Sequence, residues 1–451
     1  MSDPHDPWPA EPGGPVRTAE LIRSSFAHTP GNPFRDAGAL TVIDDGGLLV
    51  QDGIITAAGD FARVRAAAPD VPVTDWRGSL AVPGLIDTHV HFPQLRILGR
   101  SGPSLLEWLE QVALPEEARM ADLHEAERTA RDFVEAMLAH GTTSALVFGA
   151  HYAPATAALF ERASERGLRL TTGLVCADRE LRPDLHQTPA AAHADASALI
   201  TRFHGRGRLR YAVTPRFAVS TSEAMLEVCQ SLCREHPTVL VQTHLNEQRA
   251  EVDAVRRLFP WCADYLAVYE RYGLARRRSV FAHSVWTSDG EIERLAESGA
   301  SVAHCPGSNA ALGSGLFAMR RHLAGGVHCA IGTDVGAGLG FSLLRESTLA
   351  RLFQRLMPDG EPLGPAHLLY LVTAAGARAL GLESQVGDFQ VGKAADVVRL
   401  APARGSALAA AWERAETIED RLAVVLALGD RHTVREVRIA GRTVHAAEGV
   451  G

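Results

Sequence analysis

The chain has 451 residues, 46% of them hydrophobic and 22% charged, with a formal net charge of −8 from 45 Lys+Arg against 53 Asp+Glu. This composition belongs to a folded globular protein and excludes a collagen, a coiled coil and a largely disordered chain. The acidic balance gives no electrostatic footprint for nucleic acid or an anionic membrane surface, so neither is expected as a partner.

Residues 1–15 read as a loose, acidic, proline-rich tail without the basic and apolar regions of a secretory signal. From 21 to 76, short β-forming runs at 39–43, 47–51 and 54–58 are separated by the turn signals Asp44-Asp45-Gly46 and Asp52-Gly53. The far end reads alike, with runs at 396–400, 436–439 and 442–445 and a turn at Ala440-Gly441. Two β-rich ends around one long middle predict a small β-sandwich domain built from 1–78 together with 381–451. Between them, over 79–380, strand and helix alternate. Strands are predicted at 80–87, 142–148, 168–175, 209–214, 238–243, 279–282, 301–304 and 329–332, and helices at 125–140, 221–235, 247–258, 289–298 and 342–356. Eight strands each followed by helix predict an α/β fold of the (β/α)8 TIM-barrel type. No glycine-rich phosphate loop follows the first strand, which disfavours an open doubly wound sheet.

The segment 92–120, with Trp108 inside it, reads either as a lid over the site or as a packed connection, and 406–428 reads as helical. The longest clean apolar run, 422–428, is far too short for a membrane span. Six cysteines form no C-x-x-C pair and read as reduced thiols of a cytoplasmic protein.

The chemistry gathers at predicted strand ends. The first barrel strand closes with Asp87-Thr88-His89-Val90-His91, and strand alternation puts His89 and His91 on one face. With 19 histidines in the chain, about one H-x-H is expected by chance, so the motif carries weight only with other donors. Those donors are His244 at the end of the fifth predicted strand, His283 at the sixth and Asp334 after the eighth. Singly, each histidine reads as a hydrogen-bonded core residue and Asp334 as a helix N-cap. In a barrel, however, the C-terminal strand ends converge on one site. Imidazoles with a carboxylate suit Zn(II), with Fe(II) or Mn(II) as alternatives. Glu247, just beyond His244, fits either a proton shuttle or an ordinary acidic residue in a first helical turn. Asp87 fits either a group that orients a ligand histidine or a backbone cap. The only lysine is Lys393, so no barrel strand supplies a carboxylated lysine to bridge two ions, and a single metal is expected.

The sequence resembles the amidohydrolase superfamily and, within its metal-dependent aminohydrolase branch, the guanine deaminase family. The resemblance rests on Val82-Pro83-Gly84-Leu85-Ile86-Asp87-Thr88-His89-Val90-His91-Phe92-Pro93-Gln94, Leu105-Leu106-Glu107-Trp108-Leu109, Thr214-Pro215-Arg216-Phe217 and Thr243-His244-Leu245-Asn246-Glu247. It continues through Ala282-His283, Ala303-His304-Cys305-Pro306, Ser308-Asn309, Gly332-Thr333-Asp334-Val335 and Leu428-Gly429-Asp430. It implies that His89, His91, His244 and Asp334 hold one Zn(II) per chain and that Glu247, Asp334 and His283 are catalytic. It also implies that Gln94, Arg216 and Phe217, with His244 and Glu247, meet the substrate. The implied reaction is hydrolytic deamination of guanine to xanthine and ammonia by a homodimer. The alternative is a related aminohydrolase acting on another purine, a pterin or a triazine. A hydantoinase-like cyclic amide hydrolase is disfavoured by the missing barrel lysine, and the H-x-E with P-C-x-x-C of cytidine-deaminase folds is absent. A catalytically dead scaffold usually lacks some ligands, whereas all four are present. Gln248 and Ser284-Val285-Trp286 depart from the family pattern.

The residue chemistry agrees with a purine pocket. Phe217 offers an aromatic face, Arg216 a rigid fork for a ring carbonyl, and Gln94 both a donor and an acceptor. Neighbours on a strand point to opposite faces, so Arg216 and Phe217 share a pocket only if the chain leaves strand geometry after Pro215.

Overall fold

The computed structural model describes residues 19–100, 102 and 104–447. The tail expected at 1–15 lies outside them. In chain order the strands are β1 (Ala19–His28), β2 (Thr41–Gln51), β3 (Ile54–Asp60), β4 (Val73–Pro83), β5 (Leu85–His91), β6 (Thr142–Phe148), β7 (Arg169–Gly173), β8 (Val175–Cys176), β9 (Leu209–Pro215), β10 (Leu240–Leu245), β11 (Ser279–His283), β12 (Ser301–His304), β13 (His328–Ile331), β14 (Val397–Leu400), β15 (Val434–Ile439) and β16 (Arg442–Ala446).

Eight parallel strands form the barrel in the order β5-β6-β7-β9-β10-β11-β12-β13, with β8 continuing beside β9. The ring closes where the first strand meets the last: His91 N–H donates to the Val335 carbonyl at 2.8 Å and Asp334 N–H to the His89 carbonyl at 2.8 Å. Strands β5, β6, β7, β9, β10, β11 and β12 are buried along their whole length, as covering helices on the outer face require. The helices start where the sequence supplies caps. Ser222 accepts from Met225 N–H ahead of Glu223–Glu235. A Ser288/Glu291 capping box opens Asp289–Ser298, which ends on left-handed Gly299. The helix Leu123–Ala139 buries Ala126, Ala130, Phe133, Val134 and Met137, one stripe at helical spacing.

Both chain ends build the second sheet, in the order β16-β15-β14-β4-β1-β2-β3. Its hydrogen bonds run through all seven strands in one path. One face packs Ile22, Phe26, Trp76, Phe389 and Val397 together, and the other sets Leu21 and Leu49 against Val64. Two details differ from the sequence reading. The strand expected at 80–87 is two strands: Leu80 to Pro83 pair with Leu400 to Val397 of β14, and β5 begins at Leu85. Gly84 makes the crossing, where a Cβ would sit 2.0 Å from Thr143 Oγ1. Asp44 and Asp45 are not a turn but a bulge in β2, where the pairing with β1 steps from Ser24–Gly46 to Phe26–Ile43. The segment 406–428 is helical, as Ala407–Trp412 and Ile418–Leu428, and buries Leu422, Val425 and Leu426 in the main core.

Candidate metal centre and active site

The strand ends bring the expected donors to one point. His91 Nε2 lies 3.3 Å from His89 Nε2 and 3.2 Å from His244 Nε2. Asp334 Oδ1 lies 3.2 Å from His89 Nε2 and 3.3 Å from His91 Nε2. Four ligands at about 2.0–2.1 Å around a tetrahedral zinc are separated by about 3.3 Å. These four separations fit such an ion, and the nitrogen and oxygen donors suit it. His283 is the neighbouring fifth group: its ring lies with those of His89 and His244, ligand atoms within 4.8 Å of one another, and its buried Nε2 has no hydrogen-bond partner.

Two of the imidazoles are fixed from behind. His244 Nδ1 lies 2.6 Å from the Arg216 carbonyl, and His283 Nδ1 lies 2.9 Å from Asn309 Oδ1. These contacts put a proton on Nδ1 and direct Nε2 into the site. Phe148, at the end of β6, packs its ring 4.6 Å from that of His91 and 4.7 Å from that of His244. Burial lowers the imidazoles, His91 to about 3 and His244 well below its ordinary value, so both are neutral, the form in which an imidazole can bind a metal. Burial alone pushes the Asp334 carboxyl up, but the hydrogen bond and charge of His89 outweigh it and hold the group well below the usual carboxylate range. His283 and Asp334 both sit at positive φ, 70° and 49°, backbone strain concentrated at the site. Asp87 takes the backbone role of its two readings: Oδ1 accepts from the N–H of His89 at 3.2 Å and of Thr333 at 3.0 Å, and Oδ2 from Thr333 Oγ1 at 2.5 Å.

Glu247 stands beside this cluster, its Oε2 3.4 Å from His283 Nε2. Burial and the Asp334 charge push its carboxyl up to about 8. A carboxyl that keeps its proton at neutral pH is able to give one to a bound molecule. Its backbone N–H and that of Gln248 are both held by Glu251 Oε2. Gln248, a departure from the family pattern, ties the covering segment to the site. Its Oε1 accepts from Leu105 N–H at 3.2 Å and its Nε2 donates to the Leu312 carbonyl at 2.7 Å.

A pocket opens onto these groups, lined by Gln94, Arg216 and Phe217 as well as Glu247, His283 and Asp334. Arg216 and Phe217 share it because β9 ends at Pro215 and the chain turns into the short helix Ala218–Ser220. Leu105, Trp108 and Leu109 of the 92–120 segment form its cover. Trp108 is anchored by its indole N–H donating to the Arg100 carbonyl at 2.6 Å. Sequence reasoning missed Glu117, a buried acid of the same segment that touches both Gln94 and Arg216. It also missed Ser314, whose Oγ donates to Glu247 Oε1 at 3.1 Å. Neither carries a local signal, since both act through contacts distant in sequence.

Residues 80–444 match the family described as "Amidohydrolase family". The chain belongs to the amidohydrolase family. It is 52% identical over 435 residues, 95% of its length and 99% of the relative's, to the "Probable guanine deaminase" of Deinococcus radiodurans. It is 38% identical to the "Guanine deaminase" of Escherichia coli strain K12, over 95% of this chain and 98% of that one. Among solved structures, "E. coli Guanine Deaminase" superposes with a TM-score of 0.92 at 37% identity, covering 95% of this chain and 99% of that one. The resemblance read from the motifs therefore holds over almost the whole chain.

Proposed function

We propose that this amidohydrolase is a guanine deaminase that hydrolyses guanine to xanthine and ammonia with one zinc ion per chain. The observation that carries this reading is the sharing of one pocket by a carbonyl-seeking Arg216, a donor–acceptor Gln94, an aromatic Phe217 and the donor cluster with Glu247. Such a pocket suits one planar, neutral, polar base. The names borne by relatives matched along the whole chain support it.

His89, His91, His244 and Asp334 would hold the ion, and the borderline nitrogen–oxygen set favours zinc. Bound there, a divalent ion of this class acidifies water to about neutral pH. The chain's own residues do the rest. Phe217 and Arg216 hold the base flat, with its ring carbonyl at the guanidinium. Asp334 accepts the proton of the attacking water, and His283 Nε2 aims that water at the carbon bearing the exocyclic amine. Glu247 starts protonated and gives its proton to the adjacent ring nitrogen, so charge does not build on the ring as the carbon becomes tetrahedral. A second proton, passed through Glu247 or Asp334 to the amine, lets ammonia leave.

The same reading makes the protein a cytoplasmic homodimer. Six free thiols support the compartment, and no helix among the described residues is long and apolar enough to cross a membrane. The dimer rests on family resemblance. Ammonia release from guanine, adenine, cytosine, a pterin and a triazine, each with and without chelator, tests the activity. Guanine is expected to lead by at least tenfold and to be chelator-sensitive. Another base in the lead would establish the alternative substrate.

A further inference from the structure

Glu117 lies in the helix Leu114–Ala118 of the covering segment and is buried, with only 2% of its side chain exposed. Its carboxylate gathers three side chains from three different barrel strand ends. Gln94 Nε2, after β5, donates to Oε1 at 2.7 Å. Arg216 Nη1, after β9, reaches Oε1 at 2.9 Å and Oε2 at 3.0 Å. His151 Nε2, after β6, lies 3.1 Å from Oε2. Burial alone pushes this carboxyl up, but the Arg216 charge and the His151 hydrogen bond outweigh it and keep it ionised.

An ionised carboxylate only accepts hydrogen bonds, so the Gln94 atom against it is the amide nitrogen. A backbone N–H only donates. The Gln94 atom 3.1 Å from the Gly336 N–H is accordingly the amide oxygen. The two constraints agree, and the amide cannot turn over without losing both bonds and setting its carbonyl against a buried carboxylate. Gln94 therefore offers the pocket its second N–H and its second lone pair in a fixed order. Arg216, tied through Nη1, presents its donors in a fixed plane.

We propose that Glu117 is a positioning residue that sets the hydrogen-bond polarity of the base-reading edge, selecting a ring carbonyl beside a ring N–H over an amino group beside a bare ring nitrogen. This rests on the reading of the pocket as a purine site and names what makes it selective. Guanine carries the carbonyl and N–H. 2,6-Diaminopurine keeps the amine to be removed but reverses that edge, and a site with fixed donors rejects such a reversal strongly. Replacing the carboxylate by an amide removes the constraint, because an amide donates as readily as it accepts.

The test compares kcat/KM for guanine and for 2,6-diaminopurine in the wild-type holoenzyme, Glu117→Gln and Glu117→Asp. Both variants are expected to keep their metal content. In Glu117→Gln the guanine-to-diaminopurine ratio is expected to fall at least fivefold, with the loss on guanine appearing chiefly in KM. Glu117→Asp, which keeps the charge opposite Arg216 on a shorter stem, is expected to lie between Glu117→Gln and the wild type. It decides the matter, at a threshold of twofold, should Glu117→Gln fail to fold. A smaller change in the deciding variant overturns the proposal, since a purely structural role lowers both substrates together. A wild-type enzyme that does not deaminate guanine would instead overturn the functional reading, which separates the two failures.

Discussion

Ser314 Oγ donates to Glu247 Oε1 at 3.1 Å, while the other oxygen, Oε2, stands 3.4 Å from His283 Nε2. One oxygen of the acid is thus held by Ser314 and the other faces the donor cluster. Ser314→Ala removes that hold without touching the metal donors. Steady-state kinetics should show kcat falling about tenfold, the worth of one hydrogen bond to a charged or reacting group, with metal content unchanged.

Glu247→Gln keeps the shape of the side chain and removes the proton it gives and takes. The variant should bind metal as the wild type does and lose roughly 10²–10⁴ in kcat or more. Elemental analysis beside an ammonia assay separates these effects. Retained turnover would remove Glu247 from the mechanism.

His89→Ala deletes a donor that lies against both His91 and Asp334. Metal and activity should disappear together. Chelation of the wild type should lower Tm as well as activity, because an ion that binds only the folded state stabilises it by mass action. Differential scanning calorimetry with and without added zinc reads variant and wild type on one scale.

Gln94→Ala removes the donor–acceptor amide from the pocket and none of the clustered donors. It should raise KM for guanine and leave metal content intact, which a titration of substrate against elemental analysis will show.

The small sheet supplies a pH-dependent element. Burial holds the His28 imidazole at about 4, against an ordinary 6.5, and its Nδ1 accepts from the Phe389 N–H at 3.2 Å. Between those two values the unfolded chain binds the proton and the folded chain refuses it. Stability from this group is therefore complete above pH 6.5 and is lost as pH falls toward 4, by up to ~3 kcal/mol. His28→Gln keeps an acceptor and cannot titrate. Its Tm should fall less steeply than that of the wild type over this range, the difference cancelling losses common to both proteins.

The barrel strands were legible because short runs without Lys, Arg, Asp or Glu, such as 142–148 and 279–283, are buried along their whole length and stand out between the helices. The clustering of His89, His91, His244 and Asp334 was legible because strand ends converge in a barrel whatever their sequence positions. The break at Gly84 was not, since Leu80, Ala81 and Val82 differ from Leu85 and Ile86 only in which sheet they join, and their partner β14 lies at the far end of the chain. The acidic pair Asp44-Asp45 looked like a turn, but a turn and a bulge draw on the same polar residues. Glu117 belongs to no sequence motif, and its partners Gln94, His151 and Arg216 lie 23, 34 and 99 positions away. Its meaning exists only where three loops meet.

His89 and His91 belong to the first stave of the cylinder and Asp334 follows the last. Across that joint Thr333 Oγ1 reaches Asp87 Oδ2, a partner 246 positions away. An ion gripped by those side chains clasps the two edges whose connecting chain is longest, where loop-closure entropy resists contact most. Metal affinity and the integrity of the ring are then one equilibrium observed from two sides. A substitution that loosens the joint would weaken the hold on a divalent ion there, and losing that ion would let the joint breathe.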